Sequence, residues 1–170
     1  MSSELQGHGI TLRRLVEADA DALTRILADH EVGQWWEGYD RTRVLDELIA
    51  EGDGESYGIV VDGALVGLIQ YYEQDDPDYR HAGIDLFVDP AGHRKGIGRS
   101  AVLVLIGHLI DGLGHHRVII DPSVENTRSI AFFTSLGFRE VGTLRKYERH
   151  ADGTWGDNLL LELLAEDLVS

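Results

Sequence analysis

Apolar and polar positions along the chain recur with a period near two in some stretches and near 3.6 in others, and the switches divide it into a series of strands and helices. Residues 10–15 read as a first short strand. Ala22, Leu23, Ile26 and Leu27 share one helical face, and Val44, Leu45, Leu48 and Ile49 share another. Two helices are therefore predicted, separated by a loop that carries Gln34-Trp35-Trp36-Glu37-Gly38-Tyr39. Residues 57–61 and 65–72 flank Asp62-Gly63, the chemistry of a tight hairpin turn, and predict an antiparallel strand pair. An acidic loop over 73–78 follows. A strand at 82–88, a helix at 97–112, a strand at 117–121 and a helix at 127–136 then form a β-α-β-α series that implies parallel strands. Strands at 138–144 and 158–163 close the series. The class is α/β with a mixed sheet, read as one domain over residues 1–170.

Composition narrows the function without choosing it. With 43% hydrophobic and 26% charged residues, the chain has the make-up of a folded globular protein. The absence of cysteine excludes disulfides, thiolate metal sites and a cysteine nucleophile. No metal site is expected. The polar start MSSELQGHGI and the interruption of the apolar run near residues 101–110 by Gly107 and His108 point to a cytoplasmic protein with no membrane association. Lys plus Arg number 15 against 30 Asp plus Glu, a net charge of −15 that opposes nucleic-acid binding and favours a cationic partner. Solubility alone also accounts for such a surface.

The most informative segment is His93-Arg94-Lys95-Gly96-Ile97-Gly98-Arg99, which joins a strand to an amphipathic helix. Glycine lets backbone N–H groups approach an anion, and a helix N-terminus offers unpaired donors and a favourable dipole, so the loop suits a pyrophosphate. A plain turn with solvated basic residues is the bland reading. Gly96-Ile97-Gly98-Arg99-Ser100-Ala101 also fits the dinucleotide fingerprint, but seven residues separate Val88 from Gly96, where that fingerprint needs a tight turn directly after its strand.

Through residues 84–88, the Arg94-Lys95-Gly96-Ile97-Gly98 loop and the later segment 126–138, the chain resembles the GCN5-related N-acetyltransferase (GNAT) superfamily. The resemblance implies a mixed sheet of about six to seven strands, with splayed parallel strands 4 and 5, flanked by about four helices. It also implies acetyl-CoA as co-substrate. On this sequence the splayed strands are 82–88 and 117–121, and the residues implied to contact acetyl-CoA are Leu86, Phe87, Val88, Arg94, Lys95, Gly96, Ile97, Gly98, Arg99, Asn126, Ser129 and Phe133. Backbone N–H groups at 86–88 would polarise the thioester carbonyl. Three positions depart from the family pattern: His93 stands for Gln or Arg, Ser129 for Ala, and Phe133 for the tyrosine invoked as acid to the departing thiolate.

Within the superfamily, His30-Glu31-Val32-Gly33-Gln34-Trp35-Trp36, Gly83-Ile84-Asp85 and Ile120-Asp121-Pro122-Ser123 with Asn126 are similar to the aminoglycoside 6′-N-acetyltransferases. The ending, from Gly142-Thr143-Leu144-Arg145 to Asp152-Gly153-Thr154-Trp155, looks more like protein N-terminal acetyltransferases. The first resemblance implies catalytic roles for Asp85 and Asp121. It also implies an acceptor site drawn from Trp35, Trp36, Glu37, Tyr71, Glu73, Asp76, Asp85, Asp121 and Asp152. An ionised Asp85 among strand apolar residues needs a cation, a donor or a cleft; Arg80 or Arg117 would be the structural explanation. Asp121 before Pro122 could equally form a turn, and Glu73, Asp75, Asp76 and Asp78 a solvated loop. Two adjacent tryptophans in an extended segment cannot both point inward, so one is expected to face a cleft. The implied activity is acetyl transfer to a primary amine of an aminoglycoside by a monomer or homodimer. Acetylation of a peptide N-terminus or polyamine, and a non-catalytic acetyl-CoA sensor, are the alternatives.

Overall fold

The computed structural model describes residues 4–50 and 55–168, with the side chains of 93 and 94 outside the described set. Its strands are β1 (Glu4–Gly7), β2 (Ile10–Arg14), β3 (Glu55–Val61), β4 (Ala64–Gln74), β5 (His81–Val88), β6 (Arg117–Ile120), β7 (Arg139–Arg149) and β8 (Trp155–Leu164). They form one sheet of eight in the order β1-β2-β3-β4-β5-β6-β8-β7. Among the described residues, only β5 and β6 pair in parallel. The helices are α1 (Ala20–Ala28), α2 (His30–Gly33), α3 (Arg41–Arg43), α4 (Ile97–Gly107) and α5 (Thr127–Ser135). Wider π-type turns extend α3 over Val44–Ile49 and α4 over His108–Gly112.

The mixed α/β sheet implied by the resemblance is present, with eight strands and five helices among the described residues where about six to seven and about four were expected. The added strand is β1, whose sequence Glu4-Leu5-Gln6-Gly7 is too polar to announce itself and which pairs at the sheet edge with β2. The parallel pair is consequently the fifth and sixth strand rather than the fourth and fifth, at the expected residues.

Each face of the sheet carries its own core. Along β5, Ala82, Ile84 and Val88 pack toward α4 and α5, with Ala101, Leu105, Phe133 and Phe138. Phe87 faces the opposite side, with Leu68, Leu23, Ile26 and Leu48 from the α1–α3 layer. Strand alternation then puts Asp85 on the Phe87 face.

The β5–β6 ladder holds only two pairs, Ala82 with Val118 and Gly83 with Ile119. Beyond Gly83, β5 runs on to Val88 paired with β4 alone, while β6 continues against β8. The sheet splits there, and the split is a wedge at the carboxyl ends of two parallel strands. That is where open α/β sheets bind ligands.

Candidate active site

A cleft of about 850 Å³ opens at this split. One end is made by Gly96, Gly98 and Arg99 with Arg128, Ser129 and Phe132; the other by Asp85, Asp121, Tyr147 and Glu148, and Trp35 and Trp36 line it as well.

The loop end is built from the chain reversal after β5. Pro90–Lys95 forms a 3-10 turn capped by Asp89, whose Oδ1 accepts from the Ala91 N–H at 3.1 Å. Gly96 follows at φ 72, a left-handed conformation that favours glycine, and α4 starts at the next residue. A Cβ added at Gly96 would meet no heavy atom within 4 Å, so its outer side is open. The first N–H groups of α4 have no carbonyl one turn earlier in their own helix, which makes this end an anion cradle of the kind a pyrophosphate fits. Arg99 lines the cradle, whereas Lys95 is exposed outside the cleft and Ile97 is 7% exposed in the core, leaving only its main chain to contribute. Arg94, whose side chain lies outside the described residues, is not placed.

In β5, Asp89 N donates to Val66 O, so the alternating N–H groups of Leu86 and Val88 point away from β4 into the split, and that of Phe87 points to β4. Leu86 N–H donates to Asp85 Oδ1 at 3.0 Å. Asn126 caps α5 by accepting from Ser129 N–H at 3.2 Å, and both residues line the cleft. Phe133 is 1% exposed and packs edge-on against Phe132 and Phe138. Phe133→Tyr is expected to change kcat by less than about threefold, because a thiolate leaves tolerably without an acid; steady-state kinetics check it.

At the other end, the Asp85 side chain is exposed to the cleft. Desolvation, then the Asp121 charge and more weakly Glu148, push it up to about 7 against the lowering effect of the Leu86 N–H. A ligand that fills the cleft would deepen that desolvation. Arg80 and Arg117, the structural partners open to Asp85, are engaged elsewhere. Arg80 donates to Leu113 O and Gly114 O, and Arg117 to Glu162 at 2.8 Å. Asp121 follows β6, half-buried, and is raised by desolvation and by Glu148, while the Tyr147 hydroxyl that hydrogen-bonds to it pulls the other way. Tyr147 is pushed up to about 12 by the same bond and charge.

The tryptophans follow α2 in a turn, not an extended segment: Trp35 and Trp36 N–H both donate to Val32 O. Both line the cleft, and Trp36 also leans edge-on against Phe87 with ring centroids 5.0 Å apart. Glu37 does not join them, since it accepts from Ala151 N–H at 2.7 Å and ties this loop to the β7–β8 turn. Four further expected acceptor residues also stand outside the cleft. Tyr71 is 6% exposed on the opposite face of β4, donating to Glu55 at 2.8 Å. Glu73 shares that face and meets His115 Nε2 at 2.6 Å. Asp76 caps its own exposed loop at Asp78 N–H, and Asp152 accepts from Thr154 in the β7–β8 turn. Alternation gives the face next to Asp85 to Tyr72 instead. Its ring lies over Gly83, where a Cβ would collide with it, and burial with the charges of Asp121 and Asp85 raises its hydroxyl. Among the described residues, no group of three or more His, Asp or Glu side chains is arranged to hold a metal.

A family model described as "Acetyltransferase (GNAT) domain" matches residues 10–139. The uncharacterized N-acetyltransferase p20 of Bacillus licheniformis is 29% identical over 170 residues, covering 93% of this chain and 94% of that one. The solved structure of Mycobacterium smegmatis RimJ in complex with CoA-disulfide is 30% identical with a TM-score of 0.83, covering 98% of this chain and 88% of that one. A probable acetyltransferase of known structure has a TM-score of 0.81 at 25% identity, covering 96% of this chain and 98% of its own. With a glycine cradle and paired carboxylates meeting at a split parallel strand pair, the chain belongs to the GNAT family of N-acetyltransferases, whose acyl donor is acetyl-CoA.

Proposed function

We propose that this chain transfers the acetyl group of acetyl-CoA to a primary amine of an aminoglycoside, the 6′-type amine of an aminated sugar, by direct transfer in a ternary complex. The observation that carries the reading is the meeting of Asp85 and Asp121 at the β5–β6 split, in one cleft with Trp35, Trp36 and the glycine cradle. Acetyl-CoA supplies a thioester reactive enough for an amine to attack without a covalent enzyme intermediate. The main chain of Gly96 and Gly98 at the start of α4 holds the anionic end of the donor, and Arg99 adds charge. Asp85 accepts the proton of the substrate ammonium, directly or through water, at the pH where its own proton is half lost. Asp121, steadied by Tyr147, orients the aminated ring, and the tryptophan faces attract its cationic groups.

The peptide N-terminus is the second reading. It is favoured by the positions of Glu37, Glu73, Asp76 and Asp152, which leave a polycation fewer anionic contacts at the mouth than the acidic loop promised. Thiol release from acetyl-CoA, measured across kanamycin-type aminoglycosides, polyamines and peptides with free N-termini, separates the readings. Release with peptides alone overturns the aminoglycoside, and donor binding without release on any amine points to a sensor.

Trp35→Ala and Asp121→Asn are each expected to raise the aminoglycoside KM about tenfold, with the acetyl-CoA Kd within about twofold of wild type. Trp35 is the better probe because Trp36 also packs on Phe87. Equal loss of affinity for both substrates would show general damage to the cleft.

A further inference from the structure

Tyr147, Glu148 and Arg149 are consecutive in β7 and all three line the cleft. A bulge lies at the first of them. Leu144 pairs with Asn158 and Glu148 with Gly156, so Arg145, Lys146 and Tyr147 together oppose the single residue Asp157. Lys146 sits at φ 48, a strained position for a residue with a Cβ, and its N–H donates to Asp157 Oδ1 at 2.8 Å. Bulges of this kind re-aim side chains beside active sites.

Glu148 is then held in place by a buried amide. Asn158 is 4% exposed, and its Nδ2 donates to Asp121 O at 2.8 Å and to Glu148 Oε1 at 3.1 Å. Both acceptors require N–H, so the orientation of the amide is fixed, and Asn158 Oδ1 is left without a partner. A strained backbone and an orphaned buried acceptor are retained together at the point that aims one carboxylate into the cleft.

Glu148 is not the proton acceptor, yet it makes a third acid beside Asp85 and Asp121. Arg149 lines the same cleft, and Arg149 with one reacting ammonium still leaves one of the three carboxylates unbalanced. We infer that Glu148 is a specificity-determining residue that selects acceptors with a second cationic group next to the reacting amine. The inference rests on the amine-acetyltransferase reading above and deepens it.

The test uses acceptor pairs that differ by added cationic groups: kanamycin and 6-amino-6-deoxyglucose, spermidine and butylamine, and a peptide beginning Ala-Arg against one beginning Ala-Ser. The kcat/KM ratio within each pair is read for wild type, Glu148→Gln and Glu148→Asp. Gln keeps an oxygen for Asn158 and removes the charge, and Asp keeps the charge. Any change that loss of the charge makes in Asp85 acts on both members of a pair and cancels in the ratio. The wild-type enzyme is expected to prefer the more cationic member, Glu148→Gln to shrink that ratio about tenfold, and Glu148→Asp to restore most of it. A ratio near one in wild type, or the same ratio in Glu148→Gln, overturns the inference while leaving the amine reading intact. Failure of the wild-type enzyme to turn over any of the six amines overturns the amine reading itself, and this inference with it.

Discussion

Asp85→Asn is expected to lower kcat/KM about a hundredfold or more while leaving the acetyl-CoA Kd close to wild type. An ammonium has no lone pair, so the amine cannot react until its proton is removed, and an amide in place of the carboxylate cannot take it. The wild-type pH profile carries the same signature. With Asp85 raised to about 7, kcat/KM should climb as pH rises through that value, and the rise should vanish in Asp85→Asn. Stability should move the other way. A carboxyl raised in the folded state from its ordinary 3.8 to about 7 binds its proton more tightly folded than unfolded. Folded stability therefore falls as pH rises between those values, and the loss is complete above the folded pKa. Asp85→Asn escapes that loss, so its Tm should exceed that of wild type by a margin that grows up to about pH 7 and then levels off. An inactive variant without the Tm margin would place the defect in packing, and a fully active one would remove Asp85 from proton transfer.

The meeting of Gly96, Gly98 and Asp85 in one cleft at the β5–β6 split was legible because it rests on local signals: a glycine loop between a strand and a helix, and an aspartate within an apolar strand. What could not be read was which face a side chain takes. β4 is covered on both sides, Ile69 and Tyr71 against one core and Leu68 against the other, so its sequence Leu65-Val66-Gly67-Leu68-Ile69-Gln70-Tyr71-Tyr72 shows no clean alternation. A choice between adjacent tyrosines depends on register, and a slip of one residue exchanges the faces. Tyr71 and Glu73 accordingly fall on the far side, while Tyr72 faces Asp85. Gly83 was the available hint, since a glycine inside a strand often marks a close approach, here by the Tyr72 ring.

The β7 bulge left no such mark. Lys146 holds a left-handed conformation that a sequence reader assigns to glycine or asparagine, and only its hydrogen bond to Asp157 explains how it is kept. The closing strands extend beyond the expected 138–144 and 158–163 because residues 145–149 of β7 are exposed and residues 155–157 of β8 bury no apolar side chain. The exposed stretch of β7 carries Tyr147 and Glu148 into the cleft. Hydrophobic patterning finds strands by what they bury, and is least informative where a strand turns its side chains to an open cleft.

Gly98→Asp should weaken acetyl-CoA binding about tenfold or more in isothermal titration, with Tm near that of wild type. Gly98 lies in the first turn of α4, outside the left-handed region that Gly96 occupies, so a side chain there strains no backbone. A Cβ at Gly98 meets the Phe132 ring at 3.5 Å, ordinary contact. Asp in a first helical turn also suits the helix dipole, which removes the usual reason for a new charge to destabilise the fold. The same field that welcomes the carboxylate would draw a pyrophosphate to this end of the cleft. The introduced acid therefore competes with the ligand in both space and charge, and could in addition pair with Arg99 beside it. Added salt gives a second check. Screening should relieve part of the defect of the variant, whereas a purely steric block would not respond. A folded Gly98→Asp with unchanged acetyl-CoA affinity would show that the anionic end of the donor lies elsewhere, and would remove the cradle at the start of α4 from the site.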